Sequence, residues 1–416
     1  MMYFQKEFKK EYLLYSIFLV WILIHIYEMI GTVMYKQKIQ SGKNPFSELK
    51  MVTNWIENDR DVFFKIQSEH SNKKILYLNS HILIVILQLF IFSFFINDKY
   101  RNKIIGFIER KRIFEKNMFF IRSLDLCCIV MISFCAFIVD LIYLTRIYGI
   151  PNDISQAVSY ARYLIIPFFY IILYFFFYKY GRLPMYLIIG VLLLIQQSFI
   201  KSLLFRNIDK LLQNYENFDI NLFDDKIKRK LNEFNIEDNV YISKNPNVIK
   251  NMGVVKYFTR ILVLIQGNKI EYENNPKMLN SMFSHELGHV SRGYKDMIFI
   301  SLCEWLLDIL IIFLIDFFSF RSRKSSKLSR FTNFFIFCLV YFLILRDYIF
   351  VFSLILKRNE EVYADKYAVS LGYREELAHS LFKITYKFSC LQESSIYNFI
   401  KFVHPSTITR IKRICR

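Results

Sequence analysis

Seven long apolar runs constrain this chain more than any other feature of its sequence. Each run approaches or exceeds the roughly 20 residues that a helix needs to cross about 30 Å of hydrocarbon. Only 11 glycines and 7 prolines occur in 416 residues, so few breaks interrupt the helices. The sequence therefore predicts an all-α multi-pass membrane protein with seven transmembrane helices. The predicted spans are Tyr12–Ile30, Ile75–Ile96, Ile121–Leu144, Ala161–Tyr178, Pro184–Phe205, Ile298–Phe320 and Phe331–Leu356.

Ionisable residues lie inside several of these runs. Glu28 and Lys201 are close enough to span ends for their side chains to reach the membrane surface, whereas Asp140, Asp308 and Arg346 lie deeper. A charge at membrane depth is costly and usually faces a bundle interior or a water-filled cavity. These residues predict that the seven helices enclose a hydrated chamber.

The chain is strongly basic, with 55 lysines and arginines against 36 acidic residues and a formal net charge of +19. These cations are spread over the loops between apolar runs, so we expect no nucleic-acid partner. Basic residues beside membrane spans are ordinary, and they favour membrane lipid as a partner. The seven cysteines include no Cys-x-x-Cys pair, which predicts neither a disulfide framework nor a thiolate zinc site.

A polar insert separates the fifth and sixth predicted spans. Its first part, Asn207–Phe234, has the pattern of an amphipathic helix, and short strands are predicted at Val240–Ile242 and Ile261–Ile265. Together with the helix that follows, they predict a small α+β portion. The predicted domains are residues 1–205 with five spans, 206–297 with the insert, 298–356 with two spans, and 357–416 as a polar, mostly helical tail.

The insert ends in the pattern His-Glu-x-x-His, which consists of His285, Glu286 and His289. Residues i and i+4 share one face of a helix, so both imidazoles can reach the same point. Two neutral imidazoles suit Zn²⁺, and a carboxylate beside an activated water suits hydrolysis. The pattern predicts a hydrolytic zinc site on this helix.

A hydrolytic zinc needs a third protein ligand and an open position for water. In the tail, Glu361 and Asp365 would share one helix face, where Glu361 can bind zinc and Asp365 can accept a hydrogen bond from a ligand imidazole. Taken alone, this acidic pair also fits a solvated helix start. Two predicted spans lie between the histidines and the tail, and an even number returns the chain to the same side of the membrane.

Three motifs follow one another along the chain: His285-Glu286-Leu287-Gly288-His289, Glu361-x-x-Ala364-Asp365, and His404-Pro405 with Arg410. With five predicted spans before the first motif and two after it, the chain resembles the type I CaaX prenyl proteases, which are integral-membrane zinc metalloproteases. The resemblance covers most of the chain. It implies removal of the last three residues of prenylated CaaX proteins, at the endoplasmic reticulum membrane.

The resemblance also implies the roles of the residues around the metal. His285, His289 and Glu361 would hold Zn²⁺, and Asp365 would lie behind them as a supporting carboxylate. Glu286 would take a proton from the attacking water and pass it to the leaving amine. These are the residues of a metal-dependent endopeptidase.

Further residues are implied to contact the substrate. His404 would stabilise the oxyanion, and Arg410 would anchor a substrate carbonyl or carboxylate. Asn251 matches the first residue of a family segment whose strand edge pairs with extended peptide, although the next residues, Met252 and Gly253, differ from the family pattern.

Two other functions remain open at the level of sequence. A membrane quality-control zinc protease shares the metal motifs, but five predicted spans before His285 argue against it. A non-catalytic seven-span scaffold or receptor would not need the intact set of His285, Glu286, His289 and Glu361. Preference for a farnesylated peptide over its unprenylated twin would favour the prenyl protease.

Overall fold

The computed structural model describes residues 10–96, 172–196 except 174 and 178, 211–246, 251–256, 260–320 and 350–416, with separate positions between 331 and 346. The described residues fall into two compact units. The first takes its residues from Met1–Val33, Asn72–Gly190 and Leu310–Arg346. The second takes them from Met34–Ser71, Val191–Ile309 and Asp347–Arg416.

Long apolar helices account for most of the predicted spans that the structure describes. They are α1 (Lys10–Gln40), α3 (Arg60–Ile96), α4 (Arg182–Gln196) and α8 (Lys295–Phe320), and a short helix α2 (Lys50–Asn58) precedes α3. Within the described ranges, two segments are long and apolar enough to cross a membrane, Phe18–Gln40 and Lys295–Phe317, and a shorter apolar segment covers Arg182–Leu194. These overlap the predicted first, sixth and fifth spans.

The number of seven spans is not confirmed and stays a prediction. Ile75–Ile96 is helical as the second half of α3, but it is not among the two segments that pass the length and hydropathy test. The predicted span Ile121–Leu144 lies outside the described residues. Ala161–Tyr178 and Phe331–Leu356 are described only in part. The enclosed chamber and the predicted domain boundaries likewise stay predictions.

Two buried carboxylates of the first unit lie beside cationic side chains. The Glu28 side chain is completely buried, and its Oε1 lies 2.5 Å from Nζ of Lys74. Asp316 is also buried, and its Oδ2 accepts a hydrogen bond of 3.3 Å from Nη1 of Arg182. A buried carboxylate without a cationic partner would be strongly destabilising, so these pairs explain how apolar helices carry such residues.

A four-stranded sheet lies in the second unit, in the order β1 (Tyr215–Asn217), β2 (Val240–Ser243), β4 (Ile261–Gln266) and β3 (Asn251–Lys256). Strands β2 and β4 are parallel, and both outer pairs are antiparallel. The two predicted strands are confirmed as β2 and β4. Among the described strands, β3 pairs only with β4 and so lies at one end of the sheet order.

The predicted helix over Asn207–Phe234 is wrong in its middle. Tyr215–Asn217 pairs with β2 as strand β1, and helix α5 covers only Asp225–Glu233. The physical reason is local capping: the Asp224 side chain accepts a hydrogen bond from the Ile227 backbone N–H and starts the helix there. An amphipathic pattern does not exclude a short strand, and pairing with β2 decides the outcome.

The helix with the two histidines, α7 (Pro276–Ser291), packs against the sheet. A one-turn helix α6 (Lys269–Glu273) leads into it, and the Asn275 side chain caps its first turn by accepting from Met278 N–H. The side chains of Leu279, Phe283 and Leu287 are fully buried in one core with the strand residues. Burying a side chain of this size contributes about 1.5–3 kcal/mol, so the sheet fixes α7 firmly.

The tail is mostly helical, as predicted. Its helices are α9 (Val351–Ser370), α10 (Arg374–Phe388), α11 (Ser395–Lys401) and α12 (Thr407–Ile414). The buried amide of Gln67 on α3 attaches the end of α10: its Nε2 donates to the carbonyls of Tyr386 and Ser389, and its Oε1 accepts from Tyr35 Oη and from the Leu391 N–H. A buried amide satisfied on both sides holds the tail in one position.

Candidate metal centre

Helix α7 brings the two histidines onto one face. The rings of His285 and His289 have centroids 5.0 Å apart and are nearly perpendicular, at 87°. The spacing i, i+4 places the side chains one above the other, as the sequence predicts. Each ring directs its Nε2 toward the carboxylate of Glu361 on α9.

Glu361 completes a three-residue cluster. One carboxylate oxygen, Oε2, lies 3.5 Å from His285 Nε2, and the other, Oε1, lies 3.3 Å from His289 Nε2. One ligand atom from each of the three residues can be chosen so that all lie within 4.8 Å of one another. Bonds of about 2.0–2.2 Å around a tetrahedral zinc place neighbouring ligand atoms about 3.3–3.6 Å apart. The observed separations fit that geometry.

The close approach of α7 and α9 depends on two small residues. A Cβ added at Gly288 would lie 2.6 Å from the Ala364 Cα and 3.0 Å from its Cβ. Atoms do not approach that closely without a backbone shift, so only glycine fits this contact. Gly288 lies between the two histidines, and Ala364 lies one turn after Glu361. The contact therefore brings the carboxylate to the imidazoles.

Behind the cluster, Asp365 and Arg410 form a buried ion pair. Nε of Arg410 donates to Asp365 Oδ2 at 2.9 Å, and Nη2 donates to Oδ1 at 2.6 Å. The same Oδ1 lies 3.0 Å from His285 Nδ1. A carboxylate in this position accepts a hydrogen bond from Nδ1–H, and a neutral imidazole held in this way presents Nε2 as the atom that binds a metal.

The charges around the cluster set the protonation of its members. Burial lowers the pKa of His285, but hydrogen bonds to Asp365 and Glu361 outweigh burial and raise the pKa to about 9. Burial raises the pKa of Glu361, yet its contacts with His285, His289 and His404 hold that pKa well below its usual range. Both shifts have the same cause, the contacts between the imidazoles and the carboxylates of Asp365 and Glu361; a divalent cation bound at Nε2 would take the place of a proton there.

The Glu361 carboxylate also has an unsatisfied atom. Its Oε2 is buried and accepts no well-aligned hydrogen bond from any described residue, although His404 Nδ1 lies only 2.9 Å from it. A buried polar atom without a partner is rare and calls for an explanation such as an ion. A cation bound between Glu361 and the two imidazoles would satisfy this oxygen, so the residues fit a metal.

The remaining predicted site residues are placed as follows. Glu286 lies on α7 next to His285 and is only 8% exposed. The His404 side chain is 63% exposed and lies on the open side of Glu361. Asn251 begins the edge strand β3 and is exposed. The pairing of Arg410 with Asp365 favours a supporting role over the substrate anchor that the resemblance implied.

Two residues near the centre were not singled out by the sequence. Arg358 on α9 and Asn398 on α11 contact the backbone around His404. The sequence gives no indication of these contacts, because a hydrogen bond to a backbone carbonyl requires no particular residue type at the acceptor. One weak indication of the Gly288–Ala364 contact was present in the sequence: a glycine inside a helix lowers stability unless close packing requires it.

This geometry is accompanied by a family match. Residues 224–416, which carry all three motifs, match the model of Peptidase family M48. This match supports a metalloprotease, and the cluster of His285, His289 and Glu361 is where a metal can bind.

The whole chain also matches a solved structure. It is similar to the crystal structure of S. mikatae Ste24p, with 14% sequence identity, a TM-score of 0.58, and coverage of 97% of this chain and 98% of that chain. At this identity the similarity concerns the fold. Among curated proteins none matches. The predicted resemblance is confirmed by the M48 match and the Ste24p-like fold, and two helices among the described residues are long and apolar enough to cross a membrane.

Proposed function

We propose that this protein is a zinc-dependent membrane endopeptidase that removes the C-terminal tripeptide from prenylated CaaX proteins. The observation that carries this proposal is the meeting of His285, His289 and Glu361 at zinc-like separations beside Glu286. The Ste24p-like fold and the resemblance to type I CaaX prenyl proteases support the substrate class. By the same resemblance we place it in the endoplasmic reticulum membrane, with bilayer lipid around its apolar helices.

Zinc would be held by His285, His289 and Glu361, and when bound it supplies Lewis-acid polarisation of water and of the scissile carbonyl. Glu286 accepts a proton from the attacking water and delivers it to the nitrogen of the leaving amine. The neutral Glu286 formed between these two steps returns to its carboxylate when the amine leaves. Asp365, held by Arg410, keeps His285 in the tautomer that presents Nε2.

The substrate would lie as an added strand along β3. Its backbone pairs with the outer edge of that strand, and Asn251 at the start of β3 is within the path of the peptide. His404, exposed beside Glu361, donates a hydrogen bond to the oxyanion that forms at the scissile carbonyl. In this arrangement the prenylated cysteine lies on the acyl side of the scissile bond.

The proposal predicts the behaviour of Glu286→Gln. This variant keeps the shape of the side chain but cannot accept a proton, so cleavage of a farnesylated CaaX peptide should fall at least about 10²–10⁴-fold. Zinc content should stay at that of the wild-type protein, because no metal ligand changes. Mass spectrometry of the released tripeptide measures cleavage, and elemental analysis measures zinc.

A matched control is Glu375→Gln, at an exposed position in the first turn of α10, which should cleave like the wild-type protein. Full activity of Glu286→Gln would remove Glu286 from the mechanism. Equal cleavage of the farnesylated peptide and its unprenylated twin would instead favour quality-control proteolysis. A wild-type protein that holds no zinc and cleaves neither peptide would favour a scaffold.

A further inference from the structure

Arg358 lies on α9, three residues before the metal-ligating carboxylate of Glu361, and faces helix α11. Its Nη2 donates hydrogen bonds to the backbone carbonyls of Asn398 and Phe402, the latter at 2.8 Å. Its guanidinium carbon also lies 5.0 Å from the centre of the Phe399 ring. One side chain therefore contacts the whole last turn of α11.

The contacted carbonyls belong to the C-terminal end of a helix. Helix α11 ends at Lys401, and Phe402 follows it as the capping residue. The Asn398 carbonyl also accepts a hydrogen bond of 3.1 Å from the Phe402 backbone N–H. The carbonyls at this end of the helix carry the negative end of its dipole. A guanidinium placed there fixes the position of the end of the helix, from which the chain continues directly to His404.

A second restraint acts on the same segment. The Asn398 side chain donates through Nδ2 to the His404 carbonyl at 3.3 Å and to Glu393 Oε2 at 2.7 Å. The carbonyl of Asn398 is one of the two that Arg358 contacts. Arg358, Asn398 and the His404 backbone thus form one chain of hydrogen bonds that starts on the helix of Glu361 and ends at the residue beside it.

These contacts lead back to the candidate centre, because His404 lies beside Glu361. His404 Nδ1 lies 2.9 Å from Glu361 Oε2, yet the His404 side chain is 63% exposed, so packing does little to hold it. What fixes the imidazole is its backbone. Arg358 also retains a buried Nε that has no hydrogen-bond partner within the described residues. Leaving this Nε–H unsatisfied is unfavourable, and the two Nη2 hydrogen bonds offset that penalty.

We propose that Arg358 is a positioning residue for the peptidase reaction: it holds the backbone of the segment from Asn398 to His404 and so keeps the His404 imidazole next to Glu361 and the scissile carbonyl. This inference rests on the proposed function. Arg358 itself touches neither substrate nor metal. Its effect on the reaction passes through His404 alone, which separates it from a residue that only stabilises the fold.

A double-mutant cycle tests this role. Arg358→Met keeps the length of the side chain and removes its donors, so kcat for the farnesylated peptide should fall about 10²-fold through a misplaced His404. His404→Ala should lower kcat by at least as much. In the His404→Ala background, Arg358→Met should change kcat less than about twofold, since the group that Arg358 positions is already gone.

Three further readouts distinguish positioning from loss of structure. Zinc content should be unchanged in Arg358→Met, and KM should stay within about threefold, because substrate binding is left intact. Arg358→Lys, which can still donate to both carbonyls, should recover part of the lost kcat. The matched control is Arg60→Met: Nη2 of Arg60 also donates to a backbone carbonyl, that of Gly42 at 3.1 Å, and its removal should leave kcat unchanged.

Independent effects would overturn the proposal: if the losses from Arg358→Met and His404→Ala multiply in the double variant, Arg358 does not act through His404. Unchanged kcat in either single variant, or zinc loss in Arg358→Met, would overturn it too. If Arg358→Met does not fold, the same cycle with Asn398→Ala decides by the same criterion. A wild-type protein that binds zinc but cleaves no peptide would overturn the proposed function and this inference together.

Discussion

The residues of the centre form a series of charged contacts, in which each side chain is held by its neighbour. Arg410 is buried and keeps Asp365 ionised: burial raises the pKa of Asp365, but its bonds to His285 and Arg410 lower it further than burial raises it. Asp365 in turn orients His285, and His285 and His289 face Glu361. The series runs from Arg410 on α12 through Asp365 and Glu361 on α9 to the histidines on α7. Two helices supply the ligand set, and a third supports it.

Asp365→Asn breaks this series without removing a metal ligand. The amide keeps the shape of the carboxylate but loses the charge that both Arg410 and His285 require. We expect zinc affinity to fall about 10–100-fold, as is usual when the hydrogen-bond partner of a ligand histidine is removed. Competition with a chelator of known affinity measures the change.

The control for that experiment is Asp225→Asn, which changes an exposed acidic residue in the first turn of α5 and should leave zinc affinity as it is. An Asp365→Asn protein that binds zinc as tightly as the wild-type protein would show that the Nδ1 contact is dispensable. The sequence could indicate Asp365 because helical spacing relates it to Glu361. It could not indicate that Arg410 serves Asp365, because these residues are 45 positions apart.

Among the elements, the packing of α7 on α9 decides whether the ligands meet. The sheet fixes α7 through Leu279, Phe283 and Leu287, and Gly288 and Ala364 allow α9 to approach it. A larger side chain at this contact would separate the helices, since a packed interior cannot absorb an extra methyl group without a shift. The metal centre is therefore sensitive to helix separation.

Gly288→Ala should weaken both zinc binding and the fold. The new Cβ would meet the Ala364 backbone at 2.6 Å, so α9 must move and Glu361 must move with it. Overpacking of this kind typically costs about 1–3 kcal/mol of stability. We expect a lower zinc content and a lower thermal-unfolding midpoint, measured on the purified protein.

Gly190→Ala is the matched control, because a Cβ at that helical glycine meets no atom within 4 Å. It should leave zinc content unchanged and preserve or raise the unfolding midpoint. If Gly288→Ala keeps full zinc content, the helix contact does not position Glu361. Such a result would leave the small residues with a role in packing alone.

The strands show what local pattern can and cannot predict. Strand β4 is an apolar run buried on both faces, and β2 alternates buried and half-buried residues; both strands were predicted from these patterns. Strand β1 was predicted as helix, because Tyr215–Asn217 has no apolar alternation of its own and is a strand only through its pairing with β2. Tertiary pairing decides such short segments.

At the scale of the whole molecule, the ligand set joins two segments that the sequence separates by apolar stretches. His285 and His289 precede α8, whose Lys295–Phe317 is long and apolar enough to cross a membrane, and Glu361 follows on α9. The sequence predicts this meeting only if an even number of crossings lies between them. The number of spans and their enclosure of a chamber stay predictions, since the hydropathy pattern gives lengths but no packing.

Anomalous scattering at the zinc edge, measured on crystals of the purified protein, tests the central claim most directly. The account predicts one peak per chain, about 2.0–2.2 Å from Nε2 of His285, Nε2 of His289 and an oxygen of Glu361. A structure of the purified protein whose only zinc lies elsewhere, or whose Glu361 carboxylate stays remote from both imidazoles, would contradict it.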